Sequence, residues 1–136
     1  MLYMLDTDIC SYIIRGRSES VESKLSAIEP SDLCVSAITR GELMYGLKRL
    51  TPGHKLHLVV RQFFKIFRVA AWDGEAADFY ADIRHQLTTT GQPVGELDMM
   101  IAAHSLAVAA VLVTNNIQHF QRIAAPLMLQ NWTVTG

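Results

Sequence analysis

The sequence predicts an α/β fold in which a mostly parallel central sheet of about five strands is flanked by helices. Three observations carry that expectation. The apolar run Leu2-Tyr3-Met4-Leu5 passes directly into Asp6-Thr7-Asp8, and Ile9, Tyr12 and Ile13 follow at helical spacing. Two further short apolar runs, Leu33-Cys34-Val35-Ser36 and Ala110-Val111-Leu112-Val113, read as buried strands. Segments of helical periodicity separate the strands, an alternation that implies right-handed crossovers between parallel neighbours. Ligands of such sheets lie beyond the carboxyl ends of the strands, which is where Asp6 falls.

In chain order, Ser18 or Ser20 is placed to cap a second helix through about Ile28, with Val21, Leu25 and Ile28 on one face and Pro30 ending it. Ser36 closes the second strand and opens a helix in which Ile38, Leu43 and Leu47 flank Glu42. Thr51 as cap and Pro52 at the first position predict the next helix, which carries Leu56, Val59, Val60, Phe63, Phe64 and Phe67. Arg68-Val69-Ala70-Ala71 reads as a short strand. Asp73 caps a long helix with Ala76, Tyr80, Ile83 and Leu87 in register, closed by Gly91. Gly95 or Glu96 starts a helix holding Leu97, Ile101, Ala102, Leu106 and Val108. The strand Ala110–Val113 ends in Thr114-Asn115-Asn116, a helical turn runs through Phe120, and a last strand lies near Leu127–Leu129.

The chain of 136 residues is long enough to bury a core without disulfide or metal staples, and with no repeat, linker or low-complexity tract residues 1–136 are expected to form one domain. No apolar run has the length of a membrane span, and the N-terminus lacks a signal-peptide layout. Cys10 and Cys34 sit in apolar stretches without metal-ligand spacing, which favours buried free thiols and a cytoplasmic location. Charge is uneven. Residues 1–68 hold ten Lys/Arg against seven Asp/Glu, whereas residues 69–136 hold two against six. The basic excess, in Lys48, Arg49, Lys55, Arg61 and Lys65 with Arg40 and Arg68, suits phosphates, although a solvated helix face accounts for the same pattern.

Three carboxylates fall at corresponding places. Asp6 ends the first strand, Glu42 lies about one and a half turns into the helix after the second, and Asp98 lies in the first turn of a later helix. Asn116, with Thr114, follows the next strand. In a parallel sheet these positions open on one rim, where massed carboxylates repel one another unless a hard cation neutralises them. Oxygen-rich sites of this kind suit Mg²⁺ or Mn²⁺. Taken singly, Asp6 is explained as a helix cap and Asp98 as a charge that favours a helix dipole; taken together on one rim, they point to a metal.

The pattern Met4-Leu5-Asp6-Thr7-Asp8-Ile9, then Ser36-Ala37-Ile38-Thr39-Arg40-Gly41-Glu42-Leu43, resembles a PIN domain, the nuclease fold of VapC-type toxins. So do Asp98-Met99-Met100-Ile101-Ala102-Ala103-His104 and Leu112-Val113-Thr114-Asn115-Asn116 with Phe120, and the match runs through essentially the whole chain. Gly91-Gln92-Pro93-Val94-Gly95 and Asn131-Trp132 resemble the branch of tRNA(fMet)-specific endonucleases. The resemblance implies a PIN-like fold and a divalent-metal-dependent endoribonuclease, with Mg²⁺ or Mn²⁺ held by Asp6, Asp98 and Glu42, directly or through water. It implies a toxin silenced by a VapB-type antitoxin, a homodimer, and initiator tRNA as the RNA cut, in its anticodon stem-loop. Thr7, Asp8, Ser36, Thr114 and Asn115 are the groups expected to orient or supplement the carboxylates. Two positions depart from the family pattern: Asp8 stands where Asn is usual, and Asn116 where many members have a fourth acid. Lys48, Arg49, Lys55, Arg61 and Lys65 become candidates for holding the RNA backbone.

Two rivals have support in the residues. Asp6-Thr7-Asp8 after a strand, with Val113-Thr114-Asn115, resembles a haloacid-dehalogenase-type phosphatase, but that reading leaves Glu42 idle and Asp98 in the wrong order. An RNA-binding module with a decayed metal site rests only on the missing charge at Asn116. His54 and His57 are read as a solvated pair, His104 as a packed or partner-facing histidine, and Phe63, Phe64, Phe67 and Tyr80 as core or interface. Met99 and Met100 are read equally as core filling or as partner contacts.

Overall fold

Tyr3–Leu5 (β1) is the middle strand of a five-stranded sheet in the computed structural model, which describes residues 1–134. The order is β3-β2-β1-β4-β5, with β2 at Leu33–Ser36, β3 at Arg68–Ala70, β4 at Val111–Val113 and β5 at Leu129–Gln130. All four pairings are parallel. Seven helices connect them: α1 (Thr7–Arg15), α2 (Glu19–Ser26), α3 (Ala37–Lys48), α4 (Leu56–Ile66), α5 (Gly74–Thr90), α6 (Glu96–Ala107) and α7 (Ile117–Phe120). The chain builds outward from β1 to β2 and β3, then returns to the opposite side for β4 and β5. The sheet therefore reverses its winding direction at the β1/β4 boundary, where open α/β sheets leave a crevice.

Short strands hold here because both faces are covered. Alternate residues of a strand point to opposite faces, and Met4, Cys34 and Leu112 join a cluster with Ile83, Leu87, Ile101 and Phe120 of α5, α6 and α7. Leu5, Val35 and Val113 face the other way, into a cluster with Ile9, Val21 and Phe63 of α1, α2 and α4 and with Phe67 just past α4. Phe63 and Phe67 stack with ring centroids 4.3 Å apart, so this aromatic face belongs to the core. Each such side chain contributes roughly 1.5–3 kcal/mol relative to exposure, and that burial stabilises strands of only a few residues. Cys10 and Cys34 are buried free thiols, and burial pushes Cys34 up to about 11. No helix among the described residues is long and apolar enough to cross a membrane.

Helix boundaries follow local chemistry with one clear exception. Ser18 caps α2, Ser36 caps α3 and Asp73 caps α5, each accepting an amide of the first turn. Gly91 ends α5 at φ +67°, in the left-handed region that costs glycine nothing. Thr51 and Pro52 do not open α4. The Thr51 carbonyl accepts the His54 amide at 3.0 Å across a turn centred on Pro52-Gly53, and the helix begins at Leu56. Pro followed by Gly is a strong turn pair, and here it outweighs the helix-start signal.

Leu112 is fully buried at the centre of the sheet. Leu112→Ala is expected to lower the unfolding free energy by about 2–5 kcal/mol in urea titrations, and a loss below about 1 kcal/mol would contradict this packing.

Candidate active site

Asp6 leaves β1 with its backbone still paired, its amide donating to the Val113 carbonyl at 3.0 Å. Its side chain then caps α1 by accepting the Ile9 amide at 2.9 Å. The result is a carboxylate only 5% exposed, between the ends of β1 and β4. Burial pushes its pKa up to about 6; the Thr114 hydroxyl and the Ile9 amide pull it back, and the charges of Asp8 and Asp98 push it further.

Glu42 lies on α3, which Ser36 starts at the end of β2. Its Oε1 accepts the Thr7 hydroxyl at 2.6 Å, and Thr39 Oγ1 lies 3.1 Å from the same hydroxyl. Burial raises its pKa, Thr7 opposes that, and Asp98 and Asp8 add to it. Asp98 lies in the first turn of α6, half-exposed, with Oδ2 3.2 Å from His119 Nε2. Burial raises its pKa, His119 opposes the rise, and Asp8 contributes to it. Asp6, Glu42 and Asp98 thus sense one another or the exposed Asp8, which places four acids around one rim. Among the described residues no three His, Cys, Asp or Glu side chains are already gathered around one point. Hard oxygen donors, like charge and a buried acid held above its ordinary pKa fit a divalent cation at Asp6, Asp98 and Glu42.

The groups expected around these acids separate into two sets. Thr7 touches Glu42, and Thr114 acts on Asp6 while its Oγ1 accepts the Asn116 amide at 3.0 Å. Ser36 turns away from the carboxylates. His104 Nε2 donates to the Ala71 carbonyl at 3.1 Å, so its Nδ1 accepts the Ser36 hydroxyl at 2.7 Å. Burial lowers the His104 pKa and keeps it neutral, and this pair ties α3 to α6 beneath the rim. Asn115 also turns away: it donates to the Tyr12 hydroxyl at 3.1 Å and accepts Thr133 Oγ1 at 2.7 Å, clamping the last described segment to α1. Asn116 occupies the cap position of α7, exposed, with no side-chain bond to that helix.

The basic residues do not form one stripe. Arg49 lines a groove of about 470 Å³ that has Thr7 and Glu42 at one end and Arg15 on its rim. Arg61 lies in a separate depression with Arg40, whose guanidinium sits 4.8 Å over the Phe64 ring. Lys48, Lys55 and Lys65 are exposed on α3, before α4 and on α4. Two polar groups of the site escaped sequence reasoning. Arg15 ends α1, far in sequence from Glu42, and lines the groove because α1 packs beside α3. His119 had one available signal, its place one residue before the buried Phe120 on a turn that starts at the strand end.

The family pattern described as PIN domain matches residues 3–126. The chain belongs to the PIN-domain family. A tRNA(fMet)-specific endonuclease VapC of Salmonella typhimurium is 37% identical over 131 residues, covering 96% of this chain and 97% of its own. A tRNA(fMet)-specific endonuclease VapC of Shigella flexneri is 32% identical over 131 residues, covering 96% and 98%. Among solved structures, DNA-bound VapBC from Salmonella typhimurium matches with a TM-score of 0.89 at 34% identity, covering 97% of this chain and 99% of that one. VapBC2 from Rickettsia felis, bound to a DNA fragment from their promoter, matches with a TM-score of 0.88 at 31% identity and the same coverage. This PIN domain is a nuclease domain of the VapC ribonuclease kind, and PIN-domain nucleases are generally dependent on divalent metal. The phosphatase alternative falls with that match, and Glu42, idle in it, is bonded within the rim.

The raised Asp6 pKa has a signed consequence. Its folded value of about 6 lies above the ordinary 3.8 of an aspartate, so ionised Asp6 costs stability above pH 6, and the cost is relieved as pH falls toward 4. In EDTA, Asp6→Asn is expected to exceed the parent in stability by about 2–3 kcal/mol at pH 7.5, with the gap closing between pH 6 and 4. Denaturant titrations across that range check it; a pH-independent gap would contradict the assignment.

Proposed function

We propose that this chain is the toxin of a type II toxin–antitoxin pair, a divalent-metal-dependent endoribonuclease that cuts initiator tRNA in its anticodon stem-loop. The observation that carries the reading is the rim itself: buried Asp6 at the β1/β4 crevice, with Glu42 on α3 and Asp98 on α6 close enough for their charges to act on one another. Asp6, Asp98 and Glu42 hold Mg²⁺ or Mn²⁺. When bound, the cation offsets the massed negative charge and supplies Lewis acidity for phosphodiester hydrolysis.

The remaining roles belong to the chain's own groups. Thr7 and Thr114 fix the orientation of Glu42 and Asp6. Asn116 brings a neutral donor and acceptor to the mouth of the site, suited to water or a phosphate oxygen. Asp8 adds charge at the mouth and contributes, behind burial, to the raised pKa values of its neighbours. Arg49, with Arg15, lines the groove that leaves Glu42 and follows an RNA backbone there; Lys48, Lys55, Arg61 and Lys65 supply longer-range attraction from surrounding surfaces. A folded RNA is then read by shape and by unstacked bases rather than through a helical groove.

The choice of initiator tRNA rests on the Salmonella and Shigella relatives, which are named for that activity. The partner reading rests on the VapBC complexes, in which a chain of this fold is paired with an antitoxin. A VapB-type antitoxin therefore covers the rim and groove in the silenced state. Tyr45, Leu58 and Ile66, exposed on α3 and α4, leave apolar surface for a second copy, and the assembly works in the cytoplasm as a homodimer.

Purified protein incubated with initiator and elongator tRNAs tests this reading, with Mg²⁺, Mn²⁺ or EDTA and with Asp98→Asn alongside. Cutting is expected only of the initiator anticodon stem-loop, only with metal, leaving a 5′-phosphate and a 3′-hydroxyl. Asp98→Asn should slow it by at least about a hundredfold, since loss of a mere outer partner of a metal ligand already costs 10–100-fold. Protection of RNA without cleavage in saturating metal would instead favour a binding module.

A further inference from the structure

Three of the four rim acids have a specific hydrogen-bond donor. Asp6 has the Ile9 amide and Thr114, Glu42 has Thr7, and Asp98 has His119. The first two donors come with the strand ends and α1; the third comes from α7, a separate element beyond β4. Asp98 needs it most, because it sits on the first turn of a helix whose cap, Gly95, offers no side chain. Its carboxylate is 45% exposed, whereas the His119 ring is 19% exposed and lies edge-on to buried Phe120, with centroids 5.5 Å apart at 81°. The less exposed partner, fixed by packing, is the histidine. A half-exposed ion pair of this kind stabilises a fold little. It does hold one carboxylate oxygen in place and leave the other for a ligand.

We propose that His119 is a positioning residue for the metal-binding carboxylate: its Nε2–H holds Oδ2 of Asp98 and so sets the orientation in which Asp98 accepts a divalent cation. The inference rests on the reading of Asp98 as a metal ligand given above. It assigns the histidine a role equivalent to that of Thr7 at Glu42, and it explains how a short helix bearing no acid can influence the metal site. Outer partners that orient a ligand typically change metal affinity 10–100-fold.

Two side chains separate this role from a merely structural one. The Gln amide nitrogen reaches about as far as Nε2, whereas the Asn amide stops near the position of Nδ1. Mn²⁺ binding is read from the loss of the free-ion electron paramagnetic resonance signal, and thermal unfolding in EDTA monitors the fold. His119→Asn is expected to weaken Mn²⁺ binding by roughly ten- to a hundredfold without shifting unfolding, and His119→Gln to stay within about threefold of the parent. In an Asp98→Ala background, His119→Asn should add nothing, because the two residues act as a unit. Unchanged Mn²⁺ affinity in His119→Asn, with binding lost in Asp98→Ala, would overturn the His119 assignment alone. Unchanged affinity in Asp98→Ala would overturn the metal reading and this inference with it. An equal loss from His119→Asn in both backgrounds would make the histidine an independent ligand and overturn its positioning role.

Discussion

The buried carboxylate of Asp6 is the constraint around which the site is arranged. A chain does not keep an acid at the inner end of its central strand without compensation, since burial alone disfavours the charged form. The compensation here is partial: one amide from the first turn of α1 and one hydroxyl from the end of β4. Asp8 and Asp98 then work against it. The site concentrates negative charge that these hydrogen bonds offset only in part, and the proposed divalent cation would neutralise it.

The fold supplies the geometry cheaply because of its winding. Reversal at the β1/β4 boundary places the ends of two strands side by side, so Asp6 and Thr114 meet without any loop having to reach across. Glu42 and Asp98 arrive on helices, α3 and α6, and the buried Ser36–His104–Ala71 chain of hydrogen bonds ties the start of α3 to the last turn of α6. Site precision thus comes from rigid elements, and the longer, exposed basic side chains are left to attract substrate. Arg15 and Arg49 line the groove that Thr7 and Glu42 also line, whereas Lys48, Lys55 and Lys65 are exposed on the surrounding surface.

Much of this was legible before the structure. Continuous apolar runs at 2–5, 33–36 and 110–113 are what strands buried on both faces require, and Ser36, Asp73 and Gly91 act through chemistry local to a few residues. What was not legible depends on tertiary neighbours. Ser36 has an oxygen suited to a carboxylate, but α6 brings a buried histidine closer. Asn115 looked inward by sequence, yet the segment through Thr133 folds back to claim it. His119 was invisible because its value comes entirely from where α7 lies relative to Asp98, 21 residues earlier. The start of α4 failed for a different reason, two competing local signals of which the Pro-Gly turn was stronger.

Balance at the rim, on this reading, comes from a bound divalent cation. The most direct test is thermal unfolding in EDTA against Mg²⁺ at matched ionic strength, for the parent and for the double substitution Asp6→Asn with Asp98→Asn. Ligand at a hundred times its dissociation constant adds about 2.7 kcal/mol to folded-state stability, which corresponds to a rise of about 5 °C or more in a chain of this size. The account predicts that rise in the parent and its absence in the double variant. An unfolding temperature that responds to Mg²⁺ no differently from added NaCl, or a rise of the same size in both proteins, would contradict it.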